Sequence, residues 1–166
     1  MALSAIIKVS VNATLTKTAD FESASSTIAQ ALSVALTDGT GVGQADLIFK
    51  DTVTLSASGT ADLDLAASLT NIYGATQTFA RLKAIIVTAD SGNTNNVNVT
   101  RPSAGVPLFL ATSDGIAVRP GGAFVWVAPD ATGAAVTATT ADLITFTNSA
   151  GSTSVTYSVT LIGASV

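Results

Sequence analysis

The sequence predicts an all-β protein built as a sandwich or a barrel of about 8–11 short strands. β-branched residues are abundant along the 166-residue chain, and apolar and polar positions alternate at period two over most of it. Turn signals such as Pro120-Gly121 and Pro129-Asp130 separate the alternating runs at intervals of roughly 8–15 residues. A secure helical period of ten residues is missing, which argues against a mixed α/β fold.

The first element is a predicted strand whose inward or outward face is shared by Ile7, Val9, Val11, Ala13 and Leu15. The next segment, DFESASSTIAQALSVALT, is ambiguous, because i+4 spacing fits a helix and alternation fits a strand. We expect an irregular Ser-rich lead followed by a strand near 30–37. Residues 1–26 are expected to form an N-terminal strand or arm, and residues 27–166 a single β-sandwich domain.

Three further strands are expected in the middle of the chain. ADLIFKDTVTLSA alternates, and a change of phase near Lys50-Asp51 suggests a bulge. TADLDLA places its two leucines on one face and its aspartates on the other, and ASLTNIYG predicts a helical turn or loop closed by Gly74. TFARLKAIIVTAD is the strongest strand, and its apolar run at 84–87 predicts that both of its faces are covered.

The last third of the chain predicts four more strands. VNVTRP ends at Pro102, AFVWVAPD contains the single tryptophan, and a strand at 143–147 leads through a hairpin turn at 148–152 into the final strand. Phe124 and Trp126 share parity, so both are expected to face the core. In the final strand one face is shared by Val155, Tyr157, Val159 and Leu161.

Composition excludes several classes of function. Cysteine and histidine are absent, so disulfides, thiol catalysis and Ser-His-Asp or Cys-His catalytic arrangements are excluded. Charged residues make up 11% of the chain and the net charge is −4. A surface of this composition lacks the positive field that attracts nucleic acid or an anionic membrane. No apolar run is long enough for a transmembrane helix, and the alternating start predicts a strand rather than a signal peptide. We therefore expect synthesis in the cytoplasm.

The stretch TDGTGVGQADLIF raises the possibility of a phosphate-binding loop at Gly39, Gly41 and Gly43. A dinucleotide fingerprint requires G-x-G-x-x-G before a helix, whereas the spacing here is G-x-G-x-G before a predicted strand. The lysine of a Walker loop is also missing. The glycines are therefore interpreted as a turn, and no cofactor is expected.

The remaining candidates for chemistry are carboxylates and aromatic residues. Asp62 and Asp64 share one strand face with Asp51 nearby in sequence, which could serve acid–base chemistry or bind a hard cation, but a solvated strand edge is the favoured interpretation. Asp38, Asp46 and Asp51 flank the glycine turn and could hold calcium, but the short spacing of an EF-hand loop is missing. Each of the remaining three, Asp90, Asp114 and Asp130, is expected to cap a turn. Tyr73, Trp126, Tyr157 and the six phenylalanines could form a sugar-binding platform, but a core role is favoured. These interpretations assign no catalytic, cofactor-binding or metal-binding residue.

The segments LTDGTGVGQADLIFKDTVTL, DLDLAASLTNIYGATQTFARLKAIIV and IAVRPGGAFVWVAPDATGAAVTATTADLITFTNSAGSTSVTYSVTLIG resemble a family of small tailed-bacteriophage virion proteins. The resemblance covers roughly residues 30–163, and its motifs are turns and strand starts. It implies a jelly-roll decoration (cement) subunit on the outer surface of the phage head, without enzymatic activity. The implied partners are the major capsid protein and two further copies in a homotrimer. The alternative is a tail-tip or fibre domain that binds a receptor glycan.

The mean hydropathy of +0.53 is high for a soluble monomer with so few charges, which independently favours an oligomer. The N-terminal segment lies outside the resemblance, and we expect that it extends to a neighbouring subunit or to the capsid shell.

Overall fold

A computed structural model describes residues 2–67 and 69–166, and within these ranges it contains thirteen strands and no helix. The strands are β1 (Ala5–Thr18), β2 (Ser23–Leu36), β3 (Leu47–Leu55), β4 (Thr60–Asp64), β5 (Leu69–Thr70), β6 (Thr76–Gln77), β7 (Arg81–Ala89), β8 (Val97–Thr100), β9 (Gly115–Val118), β10 (Ala123–Val127), β11 (Ala134–Ala135), β12 (Leu143–Asn148) and β13 (Val155–Ala164).

Eight of these strands form a jelly roll of two antiparallel sheets. The first sheet has the order β10-β7-β13-β3, with β11 beside β7, and the second has the order β4-β12-β8-β9. Pairing is nested along the chain, since β3 pairs with β13, β4 with β12, β7 with β10 and β8 with β9. A long antiparallel ribbon rolled onto itself produces this pattern, so the predicted all-β, jelly-roll-like sandwich is confirmed.

The core lies between the two sheets and is built largely from every second residue of their strands, the residues whose side chains point inward. Val155, Tyr157, Val159 and Leu161 all face it, as the period-two pattern predicts. The ring of Tyr157 stacks on that of Phe146 at 4.5 Å between centroids. Burial therefore raises the pKa of the Tyr157 hydroxyl well above its ordinary value of 10.0.

The central strand β7 is covered on both faces, as its apolar run predicts, but it also contains a bulge. Ala84 pairs with Ile162 and Leu82 pairs with Gly163, which leaves Lys83 without a partner on β13. The bulge reverses the phase of the strand, so that Leu82 and Ile85 both face the core. The predicted bulge near Lys50-Asp51 is wrong, since β3 pairs with β13 in unbroken register from Leu55 to Leu47. The hairpin turn predicted at 148–152 is also wrong, because this turn connects β12 and β13 across the two sheets.

Strands β1 and β2 form a separate two-stranded hairpin joined by the turn at residues 19–22; this hairpin is called the arm below. The register runs from Ala5 opposite Leu36 to Thr18 opposite Ser23. The expected irregular lead at 23–29 is wrong, because every residue from Ser23 onward pairs with β1 in an unbroken ladder. The expected boundary between residues 26 and 27 falls within β2.

Residues 69–77 form a tiny hairpin in which β5 and β6 flank a turn. Gly74 closes this turn with φ of 78°, a backbone conformation that favours glycine. The predicted turn closed by Gly74 is confirmed, whereas Leu69 and Thr70 form a short strand instead of a loop, and Ser68 lies outside the described residues.

Candidate interaction surface

The arm has one apolar face and one polar face. Odd-numbered residues of β1 lie opposite even-numbered residues of β2, so apolar pairs such as Val9 with Leu32 and Ala13 with Ile28 share a face. The opposite face consists largely of small and hydroxyl-bearing residues, such as the pair Thr14 and Thr27. Alternation at period two therefore concentrates the arm's large apolar side chains into a single stripe, apart from Ile6 on the other face.

The apolar stripe begins in a buried cluster and continues into solvent. At the base, Ile7 and Leu36 pack with Ala45, Ala84 and Ile162 on the outer face of the first sheet. Farther out the same face is exposed along the rest of the arm, and Phe21 in the turn is 99% exposed. The exposed fractions along this face are 44% for Val9, 54% for Val11, 55% for Leu32, 65% for Ile28 and 75% for Leu15. Contiguous exposed apolar surface of this kind marks interaction sites.

The proximal half of the stripe overhangs the edge strand β10 and leaves an open slot of about 630 Å³ between them. One wall is the arm, and the other is the outward face of β10. Side chains on both walls are mostly apolar. The residues that line the slot are Val9, Val11, Gln30, Leu32, Ala123, Val125 and Val127.

The arm is almost free of charge. Its charged residues are Lys8, which lies on the polar face, and Lys17, Asp20 and Glu22 near the tip. Strand β2 carries none. The middle of the arm can therefore be buried without desolvating an ion.

The glycine loop anchors the base of the arm. Thr37 and Gly43 are joined by a backbone hydrogen bond of 3.0 Å, and the Gly43 amide donates to the Pro129 carbonyl at 2.7 Å. Gly39 and Gly43 have positive φ. The side chain of Gln44 accepts from the Gly41 amide and fills the space beside Gly39, where an added Cβ would lie 2.6 Å from its Oε1. The chain itself fills the loop, and the turn interpretation is confirmed.

Two cations hold this loop against the turn at residues 128–133. Arg81 donates to the carbonyl oxygens of Thr40 and Ala131, at 3.2 and 3.3 Å. The fully buried Lys83 donates to the carbonyl oxygen of Asp130. Desolvation lowers the pKa of Lys83, the Asp130 carboxylate partly offsets this, and Arg81 adds to it. The bulge in β7 thus supplies a structural cation to the base of the arm.

The Asp130 carboxylate closes its own turn. It accepts hydrogen bonds from the hydroxyl and amide of Thr132 and from the amide of Gly133. These bonds lower its pKa from 3.8 to about 2, and the Thr132 hydroxyl contributes most. The prediction that this aspartate caps a turn is confirmed.

The other carboxylates singled out in the sequence are dispersed and engaged. Asp62 accepts from the Thr145 hydroxyl at 2.5 Å, whereas Asp64 accepts from the amides of Ala66 and Ala67 and closes a turn. Both lie on β4, at the edge of the second sheet. Within residues 2–67 and 69–166, acidic side chains form no group of three that could hold a metal ion.

The remaining aspartates also bind the chain locally. Asp38 accepts from the Leu3 amide, and Asp46 accepts from the amide and hydroxyl of Ser165. Asp90 and Asp114 accept amides within their own turns, as predicted. Asp51 lies on β3 of the first sheet, away from the β4 pair, and accepts from the Thr52 amide.

Most aromatic residues serve the core. Phe124 and Trp126 pack against the core from β10, as their shared parity predicts, and Tyr157 is buried. Tyr73 differs, since it is 75% exposed and follows the exposed Ile72 at the rim of a pocket of about 280 Å³. Polar groups around this pocket are already engaged: Gln77 donates to the Ile48 carbonyl, and Asn71 accepts from two amides of its own turn.

The length and pairing of the arm were not predicted. The sequence contained a usable signal, because the apolar residues from Ile28 to Leu36 continue the alternation of the first strand after a polar break at residues 16–27. Pairing these two runs across the break would have placed both apolar sets on one face.

Comparisons with known proteins found no matching family model, no matching curated protein and no matching solved structure. Among the described residues, no helix has the length and apolar character needed to cross a membrane.

Proposed function

We propose that the chain is a structural subunit of a tailed-bacteriophage particle. It acts as a decoration (cement) subunit on the outer surface of the head, where it bridges major capsid proteins after synthesis in the host cytoplasm. It self-associates, with a homotrimer as the expected state, and it has no catalytic role. The supporting points are the resemblance described above, the jelly-roll fold and, above all, the exposed apolar stripe of the arm.

The stripe carries the proposal because it is unfavourable for an isolated domain and useful in an assembly. An isolated two-stranded hairpin is only marginally stable in water, and this one is covered by the sandwich only near its base. Burial of a large aliphatic side chain contributes about 1.5–3 kcal/mol, so the five roughly half-exposed side chains of the stripe offer about 5 kcal/mol before association costs. A partner surface could gain that free energy without any covalent chemistry.

The polar groups of the chain also suit a structural role. Carboxylates close turns, and the outer face of the first sheet is crossed by hydroxyl pairs such as Thr52 with Ser158 and Thr54 with Thr156, each at 2.8 Å. A shell protein gains from such groups, because they satisfy one another and leave neutral, hydrogen-bonded surface.

The test is the amount and the effect of the protein in particles of the phage that encodes it. We expect quantitative mass spectrometry of purified particles to give a copy number close to that of the major capsid protein. Particles produced without the gene should release their DNA at a lower temperature, and added purified protein should restore the resistance. A copy number typical of a tail tip, or unchanged heat resistance, would refute the head role.

Glycan binding at a tail tip or fibre is the second candidate function, and the exposed Tyr73 is the observation that favours it. A sugar ring could stack on this side chain beside the pocket next to Ile72. Binding of the purified protein to host cells or to a glycan array, lost in Tyr73→Ala and kept in Trp126→Phe, would support it. Absence of binding by the wild-type protein would exclude it.

A further inference from the structure

We infer that the distal part of one arm inserts into the slot of a second copy of this chain. The distal part comprises residues 13–18 and 23–28 with the turn between them, and the slot is the apolar space between the proximal arm and β10. This inference specifies the self-association in the proposed function and rests on that part of it. It is independent of where the protein lies in a virion.

Continuity of the apolar face is the first argument. The same face that buries Ile7 and Leu36 against the sandwich continues through Val9 and Leu32 to Ile28. Within one subunit the sandwich closes over only the first part of this face, and the slot remains open beside Val125. A ribbon with an apolar face is the shape that the slot requires, and each copy carries one.

Charge is the second argument. Contact between two copies of one chain is opposed wherever like charges face each other. Val125, Val127 and the proximal arm contribute no charge to the slot. On the distal arm Lys17 is the one charge on the inserted face and lies close to the turn, and Asp20 and Glu22 lie in the turn itself. A second copy of this chain therefore meets the slot with uncharged side chains along most of the inserted length.

Buried area indicates how the copies are arranged. Six residue pairs span about 20 Å, and a two-stranded ribbon is about 10 Å wide, so its two faces offer about 400 Å². With an equal area from the slot, one contact buries about 800 Å², about half of a standard interface of roughly 1,600 Å². A subunit that both gives and receives an arm buries about 800 Å² of its own surface, which is the per-partner value of a standard interface.

The giving and receiving surfaces are different, so the contact is heterologous. Such contacts close into rings or continue as open filaments. A closed ring fills every slot, whereas a filament leaves one arm and one slot unfilled at its ends, so a ring is favoured and is compatible with the expected trimer.

The first experiment measures association of the full-length protein by analytical ultracentrifugation over a range of concentrations. Ile28→Asp places a carboxylate on the inserted face, and we expect association to weaken by about 100-fold or more. Asn12→Asp is the control, because Asn12 is exposed on the opposite, polar face of the proximal arm, outside both the inserted length and the slot lining. A monomeric wild type, or equal weakening by the two variants, would overturn the inference.

The second experiment identifies the occupant of the slot. The chain has no cysteine, so single-cysteine variants give unambiguous cross-links. Ile28→Cys protein is allowed to exchange subunits with Val125→Cys protein and is then treated with a short bifunctional maleimide. We expect a mixed 28–125 cross-link that exceeds the yield from Thr27→Cys with Val125→Cys.

A predominance of 28–28 cross-links would instead indicate face-to-face arms and overturn the slot assignment. Absence of cross-links would indicate that the stripe contacts a different protein, and this result would also overturn the slot assignment. Both results leave the copy-number test of the virion role unaffected, so failure of this inference and failure of the proposed function are distinguishable.

Discussion

Replacement of Leu36 by alanine should detach the arm while leaving the sandwich folded. Leu36 is 1% exposed at the end of β2, and it packs in a cluster of five buried residues that holds the arm to the first sheet. Leucine-to-alanine changes in cores cost about 2–5 kcal/mol, depending on how well the site collapses. Two neighbours, Ala45 and Ala84, are small, so less packing is lost here, and we expect a cost of about 2–3 kcal/mol.

This cost should fall on the arm, because the arm contacts the sandwich mainly through its base. Destabilisation of the sandwich cannot exceed the free energy of that contact. The protein offers two separate reporters: Trp126 is the single tryptophan and packs on the sandwich core, whereas amide hydrogen exchange reports directly on β1 and β2. We expect Leu36→Ala to accelerate exchange across the arm and to leave the Trp126 unfolding midpoint nearly unchanged.

Leu82→Ala is the matched comparison. Leu82 has no exposed area and belongs to the main core, so its truncation should cost about 3–5 kcal/mol and shift the Trp126 midpoint strongly. Equal shifts of the Trp126 midpoint in the two variants would refute the reasoning, because the arm and the sandwich would then unfold as one unit.

Three further predictions concern the sandwich itself. Asn148→Ala should reduce the free energy of unfolding in urea by about 2–4 kcal/mol, because the buried amide donates to the carbonyls of Ser56 and Thr153 and would leave both without it; a loss below 1 kcal/mol, on the order of a single exposed hydrogen bond, would contradict this. Because the pKa of Asp130 is lowered to about 2, its contribution is complete above the ordinary value of 3.8 and is lost as the pH falls toward 2; the stability difference between wild type and Asp130→Asn should shrink over that interval, and a constant difference would count against the turn. The pKa of Tyr157 is raised, so above pH 10.0 only the unfolded state releases the proton and stability falls with pH; thermal melts of Tyr157→Phe should show a shallower alkaline loss than wild type, and identical slopes would argue against burial of the hydroxyl.

The sequence predicted the sandwich well because period-two alternation records which side chains face the core. The final strand, the central position of β7 and the inward orientation of Trp126 all follow from that period. The sequence predicted the pairing of strands poorly, because alternation shows which face a side chain takes but not which strand lies beside it. The bulge at Lys83 shows the same limit: the apolar run at 84–87 hides any change of phase, and only the pairing with Gly163 and Ile162 reveals that one residue is extra.

The candidate surface was harder to predict for a related reason. An apolar stripe on a strand normally indicates a face turned toward the core of its own domain. The alternation from Ile7 to Leu15 therefore predicts a strand and does not itself indicate an arm, which is expected only because the segment lies outside the resemblance. The Ser-rich start of β2 predicts an irregular lead. Whether such a face is covered by its own sandwich or left open depends on where the hairpin leaves the domain, which is set by the contacts of Leu36 and the glycine loop.

The distribution of charge separates folding from assembly in this chain. The sandwich uses its aspartates to close turns, as at Asp64, Asp90 and Asp130, and covers its sheets with paired hydroxyls. The middle of the arm has neither role, and the absence of charge there contributes nothing to the fold of a single copy. Ile28 is 65% exposed, so a charge introduced there should block association. It should leave the free energy of unfolding reported by Trp126 within about 0.5 kcal/mol of wild type. If the charge destabilises the sandwich as strongly as it weakens association, the apolar stripe serves the fold, and its exposure is no guide to a partner.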